Sequence, residues 1–155
     1  MSHRFNRTSL ACLGMLFLLA IPVLARAVGG GSIPTPVAPR SAEAEYNKGL
    51  QAKAASHYPE AAANFRRAVD IRRNFPEAWN ELGFALRQNG QFPQALQAYQ
   101  EALRLRPEFP EAMEYLGEAY VKMGRLEDAK AILERLSTLD PARARELEEA
   151  IQTGK

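Results

Sequence analysis

Apolar residues recur every three to four positions along residues 42–152, the spacing that places them on one face of an α-helix. Within 76–88 this face consists of Ala78, Trp79, Leu82, Gly83 and Leu86. Asn89-Gly90 then forms a helix-ending signal. A second face, at 92–103, consists of Phe92, Ala95, Leu96, Tyr99, Ala102 and Leu103. Pro107 and Pro110 prevent its continuation. The pattern predicts two antiparallel helices, with Gly83 and Ala95 allowing close approach and Trp79, Leu82, Phe92 and Tyr99 filling the seams.

The same pattern occurs three times, with a period of 34 residues. Gly49, Gly83 and Gly117 share this spacing. So do the sets Ala61/Ala95/Ala129, Phe65/Tyr99/Leu133 and Tyr58/Phe92/Leu126. A fixed period of this length is typical of repeat arrays, in which neighbouring units cover each other's apolar faces and about three units are needed for stability. We therefore expect an all-α solenoid of three helix-turn-helix units, at 42–75, 76–109 and 110–143.

The repeat resembles the tetratricopeptide repeat (TPR) motif. The residues that carry the resemblance are Trp79-x2-Leu82-Gly83-x2-Leu86, then Ala95-x3-Tyr99, Ala102 and Pro107. The third unit has Met113 in place of Trp79, and the first is the weakest match because Glu45 and Lys48 replace Trp79 and Leu82.

The two ends of the array carry polar replacements. Glu45 and Lys48 are interpreted as a polar outer face on the first unit, as an uncovered end requires. Ser41 is predicted to cap the first helix. Residues 141–155 are predicted to hold a C-terminal capping helix and tail, with an N-cap at Asp140.

The N-terminus has the organisation of a secretory signal peptide. Arg4 and Arg7 precede an apolar run at 10–25, and Ala25-Arg26-Ala27 has the small-x-small form of a cleavage site. We expect a signal peptide at 1–27 and a Gly/Pro-rich linker at 28–41. The protein is then periplasmic or secreted; the alternative is a membrane anchor at 10–25. Cleavage takes three arginines from the 20 basic residues and none of the 18 acidic ones, so the formal charge falls from +2 to −1.

Catalytic chemistry has little support in the sequence. Cys12, the only cysteine, lies in the predicted signal peptide, and His57 is the only other histidine beside His3. No metal-ligand spacing is present. We predict that the protein is not an enzyme and uses no cofactor or metal. Nucleic acid and small-molecule substrates are not expected, because no basic face or reactive cluster is indicated.

The resemblance implies a function in protein binding, because the first helices of such repeats line a concave groove that holds peptides or partner helices. The corresponding positions are Tyr46, Asn47, Leu50, Lys53, Asn80, Glu81, Phe84, Arg87, Glu114, Tyr115, Glu118, Val121 and Lys122. Exposed aromatic residues among them are candidate binding anchors. They could instead pack on the linker or the closing helix.

Two more specific classes of partner are not favoured by this pattern. Family members that bind the acidic C-termini of heat-shock chaperones use Lys, Asn and Arg in the groove. The matching positions here hold Tyr46, Leu50, Glu81, Glu111 and Tyr115, and two Glu would repel a carboxylate. A basic edge at Arg66, Arg67, Arg72 and Arg73 is interpreted as a solvated face rather than an anion site.

The resulting hypothesis is a non-enzymatic scaffold of the cell envelope that holds a partner peptide or helix in its groove. One alternative is an envelope-assembly chaperone that binds client segments transiently. The other is a structural subunit that self-associates through its end repeats.

Overall fold

Seven α-helices make up the part of the chain that the structure, a computed structural model, describes: residues 40–154. They are α1 (Ala42–Ala54), α2 (Tyr58–Ile71), α3 (Pro76–Gln88), α4 (Phe92–Leu105), α5 (Pro110–Lys122), α6 (Leu126–Leu139) and α7 (Pro141–Thr153). Within these residues there is no strand. The predicted all-α fold with seven helices is confirmed. The predicted signal peptide and residues 28–39 of the predicted linker lie outside the described residues.

Helix starts and turns repeat every 34 residues. Pro76 and Pro110 begin α3 and α5, where proline costs nothing because the first-turn N–H has no helical partner. Gly90 and Gly124 have φ of 73° and 72°, the left-handed conformation that ends the first helix of a repeat. The equivalent residue of the first repeat is Ser56, with φ of 59°. The first repeat therefore makes the same turn without glycine and carries the strain of a Cβ there.

Each first helix is packed tightly against a bulky side chain at its glycine. A Cβ on Gly83 would lie 2.6 Å from Cε1 of Tyr99, and one on Gly49 would lie 2.5 Å from Cε1 of Phe65. The close approach predicted at Gly83 is thus to the ring of Tyr99. At Gly117 the facing residue is Leu147 of α7, at 2.5 Å, rather than the sequence-equivalent residue of α6. The closing helix therefore completes the core of the third repeat.

The seam residues differ in burial. Leu82 and Tyr99 are fully buried, as expected. Trp79 and Phe92 are only half-buried. The indole Nε1 of Trp79 donates a hydrogen bond to the Arg73 carbonyl, 2.8 Å away. Trp79 thus fixes the loop before α3 as well as packing against the core.

At the N-terminal end, Lys48 is exposed as expected of a polar outer face, but the carboxylate of Glu45 is buried beneath two exposed cations. Glu45 is only 1% exposed. It accepts hydrogen bonds from Arg67 at 2.7 Å and Lys48 at 2.9 Å. These bonds, that to Arg67 first, lower the pKa of Glu45 to about 2. The expected polar outer face of Glu45 is therefore wrong, since Arg67 of α2 and Lys48 cover the carboxylate.

Both ends of the helical region have side-chain caps. The Ser41 hydroxyl accepts a hydrogen bond from the Ala44 amide at 3.0 Å. The Asp140 carboxylate accepts from the amides of Ala142 and Arg143 and caps α7. Among residues 40–154, none of the helices combines the length and apolar character needed to cross a membrane.

Candidate partner-binding surface

The 13 predicted groove residues lie on α1, α3 and α5 in three exposure classes. Half-buried are Tyr46, Leu50, Lys53, Phe84, Arg87, Tyr115 and Glu118; exposed are Asn47 and Lys122; buried are Asn80, Glu81, Glu114 and Val121. We call the face formed by these residues the first-helix surface. Val121 is 5% exposed and packs within the hydrophobic core, so its side chain is not available to a partner.

Phe84 is the aromatic centre of this surface. Its ring lies 5.5 Å from that of Tyr115 and 6.2 Å, edge-on, from that of Tyr58. Lys53 Nζ lies 4.5 Å and Arg87 Cζ 5.6 Å from its centroid. Phe84 belongs to neither hydrophobic core cluster of the described residues. Its ring is thus held by cations and aromatic edges, not by the core.

The other apolar members are tied more closely to the core. Tyr46 packs on Phe75 at 4.9 Å and on Phe65 at 5.6 Å. Leu50 and Tyr115 also pack against the core cluster. Each of these three side chains therefore has a structural role in addition to any contact with a partner.

Ion pairs connect successive first helices across the surface. Lys53 of α1 pairs with Glu81 of α3 at 2.6 Å, and Arg87 of α3 pairs with Glu118 of α5 at 2.7 Å. Each cation also lies near an aromatic ring of the next helix, since Arg87 Cζ is 5.2 Å from the Tyr115 centroid. These links orient the three helices and leave a mixed, charged surface.

The closing helix adds residues that the sequence interpretation missed. Glu114, 3% exposed, is paired with Arg143 of α7. Burial raises the pKa of Glu114 to about 7; the Arg143 ion pair opposes this rise and a hydrogen bond with the Glu146 carboxyl adds to it. A sequence signal existed for related pairs: Glu43–Arg72 and Glu77–Arg106 have the same spacing and recur at the 34-residue period.

Two tyrosine hydroxyls on this surface lie in a negative environment. Burial raises the pKa of Tyr46 to about 12, and the carboxylates of Glu81, Glu77 and Glu111 add to the rise. Burial likewise raises the pKa of Tyr115 to about 12, with Glu111 the largest carboxylate contribution. Both phenols are therefore neutral hydrogen-bond donors and acceptors at physiological pH.

The predicted basic edge is partly consumed by internal contacts. Arg67 pairs with Glu45 and hydrogen-bonds Asn64. Arg72 pairs with Glu43, and its Cζ lies 3.6 Å from the centroid of Phe75. Two of the four arginines are thus engaged in contacts within the fold, and the interpretation of this edge as a solvated face stays a prediction.

A cavity lies between α2, α3 and α4, and none of the residues that line it belongs to the first-helix surface. Its volume is about 410 Å³, and it is lined by Arg66, Trp79, Leu82, Leu86, Gln94, Gln97, Ala98, Gln100 and Glu101. Within residues 40–154, no group of three or more His, Cys, Asp or Glu side chains is arranged to hold a metal ion.

Comparison with known proteins identifies the repeat. Two tetratricopeptide repeat models match the chain, one at residues 46–108 and one at 86–151. Together they span all the helices except the first residues of α1 and the end of α7. No curated protein sequence matches the chain.

Solved structures share the fold at low sequence identity. The TPR domain of Arabidopsis OM64 is 19% identical, with a TM-score of 0.69, 74% of this chain covered and 97% of the other. The first TPR of Spaghetti (RPAP3), bound to the HSP90 peptide SRMEEVD, is 23% identical with a TM-score of 0.66, covering 72% and 94%. The Yersinia enterocolitica type III secretion chaperone SycD, in complex with a peptide of the translocator YopD, is 18% identical with a TM-score of 0.66, covering 72% and 92%.

Proposed function

Because the chain belongs to the tetratricopeptide repeat family, we propose that it is a non-enzymatic interaction module that holds a segment of a partner protein on its first-helix surface. Two of the similar structures hold peptides, which supports this proposal by analogy of fold. The observation that carries it is Phe84, a half-exposed aromatic ring outside both core clusters, surrounded by Tyr58, Tyr115 and two cations. A partly exposed aromatic side chain that lies outside the core is a typical binding anchor.

The partner differs in chemistry from the acidic HSP90 peptide of the similar structure. Glu81 and Glu111 occupy two of the positions where carboxylate-binding members carry basic or amide groups, and Glu111 has no cation within ion-pairing distance among residues 40–154. An acidic chain terminus would meet repulsion here. We therefore infer that this protein does not bind the acidic C-termini of heat-shock chaperones.

The proposed location is the bacterial-type cell envelope or the exterior. It is supported by Arg4, Arg7, the apolar run at 10–25 and the Ala25-Arg26-Ala27 site. A scaffold and an assembly chaperone both fit this location, and they differ in the lifetime of the complex. Crosslinking in intact cells followed by pull-down would identify the partner, and the dissociation rate of the purified complex would separate the two roles.

Substitution of Phe84 tests the binding surface. Phe84→Ala should weaken capture of the crosslinked partner about 30-fold, the equivalent of about 2 kcal/mol for a buried aromatic anchor. The melting temperature should change little, because Phe84 lies outside both core clusters.

Phe92→Ala is the matched control, since Phe92 is also half-buried and outside both clusters but begins α4. It should leave capture unchanged. Equal loss in both variants, or a melting temperature that collapses in Phe84→Ala, would refute the assignment of this surface. If the complex proves to contain only copies of this chain, the self-associating alternative is correct.

A further inference from the structure

The side of α3 that faces away from Phe84 lies at the bottom of an open groove between α2 and α4. The cavity of about 410 Å³ beside Trp79 is one part of this groove. A second cavity, of about 490 Å³, adjoins it, because Trp79 and Glu101 line both. Each has the volume of a typical small-ligand pocket, about 300–1,000 Å³. We call the two cavities together the second-helix groove.

The floor of this groove is apolar, and one of its side chains is accessible. Leu82 and Leu86 of α3 are buried, whereas Trp79 is half-buried. At 3.6 residues per turn these three residues lie about 140–160° round the helix from Phe84. The indole Nε1 of Trp79 already donates a hydrogen bond to the Arg73 carbonyl. The indole therefore needs no further polar partner, and what it offers to a ligand is an apolar surface.

The walls of the groove carry exposed hydrogen-bond donors. Gln94 and Gln97 line it on the α4 side. Arg66 and Arg73 line it on the other side. These are the two arginines of the basic edge that make no ion pair with a carboxylate of residues 40–154. The donors of both guanidinium groups thus remain available to a ligand.

The charges that line the groove do not cancel at the Arg66 end. The cavity of about 410 Å³ has one cation and one carboxylate in its lining, Arg66 and Glu101, and Glu101 is already paired with Arg104 at 2.9 Å. The second cavity is balanced, since it is lined by two carboxylates and two guanidinium groups, those of Asp70, Glu101, Arg73 and Arg104. Asp70 lies one turn from Arg66 on α2 but forms no ion pair with it and lines only the second cavity. The positive charge of Arg66 is therefore uncompensated beside the accessible indole.

The next groove along the array, between α4 and α6, lacks this combination. The residue 34 positions after Trp79 is Met113, which is fully buried. The residue equivalent to Arg66 is Gln100, which has no charge. An accessible indole beside an unpaired guanidinium group is thus particular to the groove between α2 and α4, and is not a consequence of the repeat itself.

We propose that the second-helix groove binds an acidic segment of a partner protein, in which a side-chain carboxylate pairs with Arg66 and an adjacent apolar side chain packs on Trp79. A guanidinium group and a carboxylate form a strong, often bidentate hydrogen-bonded pair. The side-chain amides of the α4 glutamines can donate further hydrogen bonds to the same segment. The groove has the opposite charge preference to the first-helix surface, where Glu81 and Glu111 repel a carboxylate. The chain therefore has two binding sites of different chemistry, on different sides of α3.

Trp79 is the only tryptophan of the full chain, so its fluorescence reports directly on the groove. The experiment compares three twelve-residue peptides with blocked termini and no tryptophan. One carries two Glu-Leu pairs in a Gly/Ser background, the second carries lysine in place of each glutamate, and the third carries glutamine. The acidic peptide should change the emission of Trp79 and protect it from quenching by acrylamide, and the other two should bind at least ten-fold more weakly. Binding should also weaken as salt rises, because the contact is electrostatic.

Arg66→Gln is the test variant, because it removes the uncompensated charge and breaks no ion pair of residues 40–154. It should weaken binding of the acidic peptide about five-fold, the upper range for an exposed charge pair, and leave the melting temperature unchanged. Arg145→Gln is the control: Arg145 is exposed on α7, makes no ion pair among residues 40–154 and lines neither cavity of the groove, and its substitution changes the net charge equally. It should leave binding unchanged.

The fluorescence of the unaltered protein tests the site even if a variant fails to fold. Binding of the acidic peptide that changes neither the emission nor the quenching of Trp79 would place the peptide elsewhere and overturn the proposal. Equal weakening by Arg66→Gln and Arg145→Gln would show general charge attraction and overturn it as well. So would equal binding of all three peptides, or no binding of the acidic one. If Phe84→Ala still weakens partner capture in those cases, the proposed function stands and only the second-helix groove is wrongly assigned.

Discussion

Equivalent glycines in successive repeats should differ sharply in their tolerance of a methyl group. Gly83 and Gly117 are 34 residues apart and occupy the same helical position, so Gly→Ala gains the same helix propensity at both, about 1 kcal/mol. The difference in the free energy of unfolding between the two variants then depends only on the contacts that the new Cβ makes.

At Gly83 the Cβ would lie 2.6 Å from the ring of Tyr99, which is fully buried and cannot move away without disturbing the core. Overpacking of this kind costs about 1–3 kcal/mol. After the gain in propensity, the net destabilisation of Gly83→Ala should be between about 0 and 2 kcal/mol.

At Gly117 the Cβ would meet the terminal methyls of Leu147, at 2.5 and 2.6 Å. Leu147 is also fully buried, but it is smaller than the tyrosine ring and can change rotamer at a cost of about 0.5–1.5 kcal/mol, and α7 is the last helix among residues 40–154. Gly117→Ala should therefore lie within about 0.5 kcal/mol of the parent protein.

Urea denaturation and thermal melting followed by circular dichroism would measure the difference, expected as a gap of roughly 5 °C in melting temperature. A double-mutant cycle of Gly83→Ala with Tyr99→Leu should show a coupling of about 1 kcal/mol or more, because the smaller side chain removes the clash. If Gly117→Ala costs as much as Gly83→Ala, or if Gly83→Ala is stabilising, the account of close packing at Tyr99 is incorrect.

The remaining predictions concern turns, ionisation and processing. Ser56→Gly should stabilise the fold by about 0.5–1 kcal/mol, because glycine adopts the left-handed conformation without a Cβ penalty; a lower melting temperature would contradict this. The free energy of unfolding should fall as pH rises from 5 to 8, because the pKa of Glu114 is higher in the folded than in the unfolded protein and ionisation of the buried group opposes folding. Urea denaturation at several pH values should show a smaller fall in Glu114→Gln. The pH dependence contributed by Glu45 has the opposite sign, because its pKa is lower in the folded protein. The stabilisation by its carboxylate is present above pH about 4.5 and is lost as pH falls toward about 2, so the free energy of unfolding of Glu45→Gln should change less over that range. N-terminal sequencing of the exported protein should begin at Val28; a sequence beginning at Met1 in membrane fractions would favour the anchor.

Much of the fold follows from the 34-residue period, because local helix signals and repeat spacing agree. The helix end at Gly90 and the helix count could both be predicted in this way. The burial of Glu45 could not, since it depends on Arg67, which lies 22 residues away and folds over the carboxylate. The left-handed Ser56 was also missed, because serine gives no signal for that conformation.

The candidate surface was predictable in position but not in its charges. The repeat register placed Phe84 and Tyr115 on one face, and their rings do lie 5.5 Å apart. The contribution of Arg143 could not be predicted, because α7 follows its own register: it begins 31 residues after α5 instead of 34. Periodicity carries no information about an element that departs from the period.

The ion pairs Glu43–Arg72 and Glu77–Arg106 recur at the 34-residue period, but the third repeat has Asp140 where the first two have arginine. This break limits how such a chain can gain length by duplication. The second repeat packs between two other repeats. A further copy of residues 76–109 inserted after 109 would therefore pack against repeats of the same kind on both sides. A copy could not be inserted after the third repeat in the same way, because Asp140 caps α7 and Leu147 of α7 packs against Gly117. Growth of the array is therefore confined to its interior, and each added unit would place one more helix between α1 and α5 and lengthen the first-helix surface.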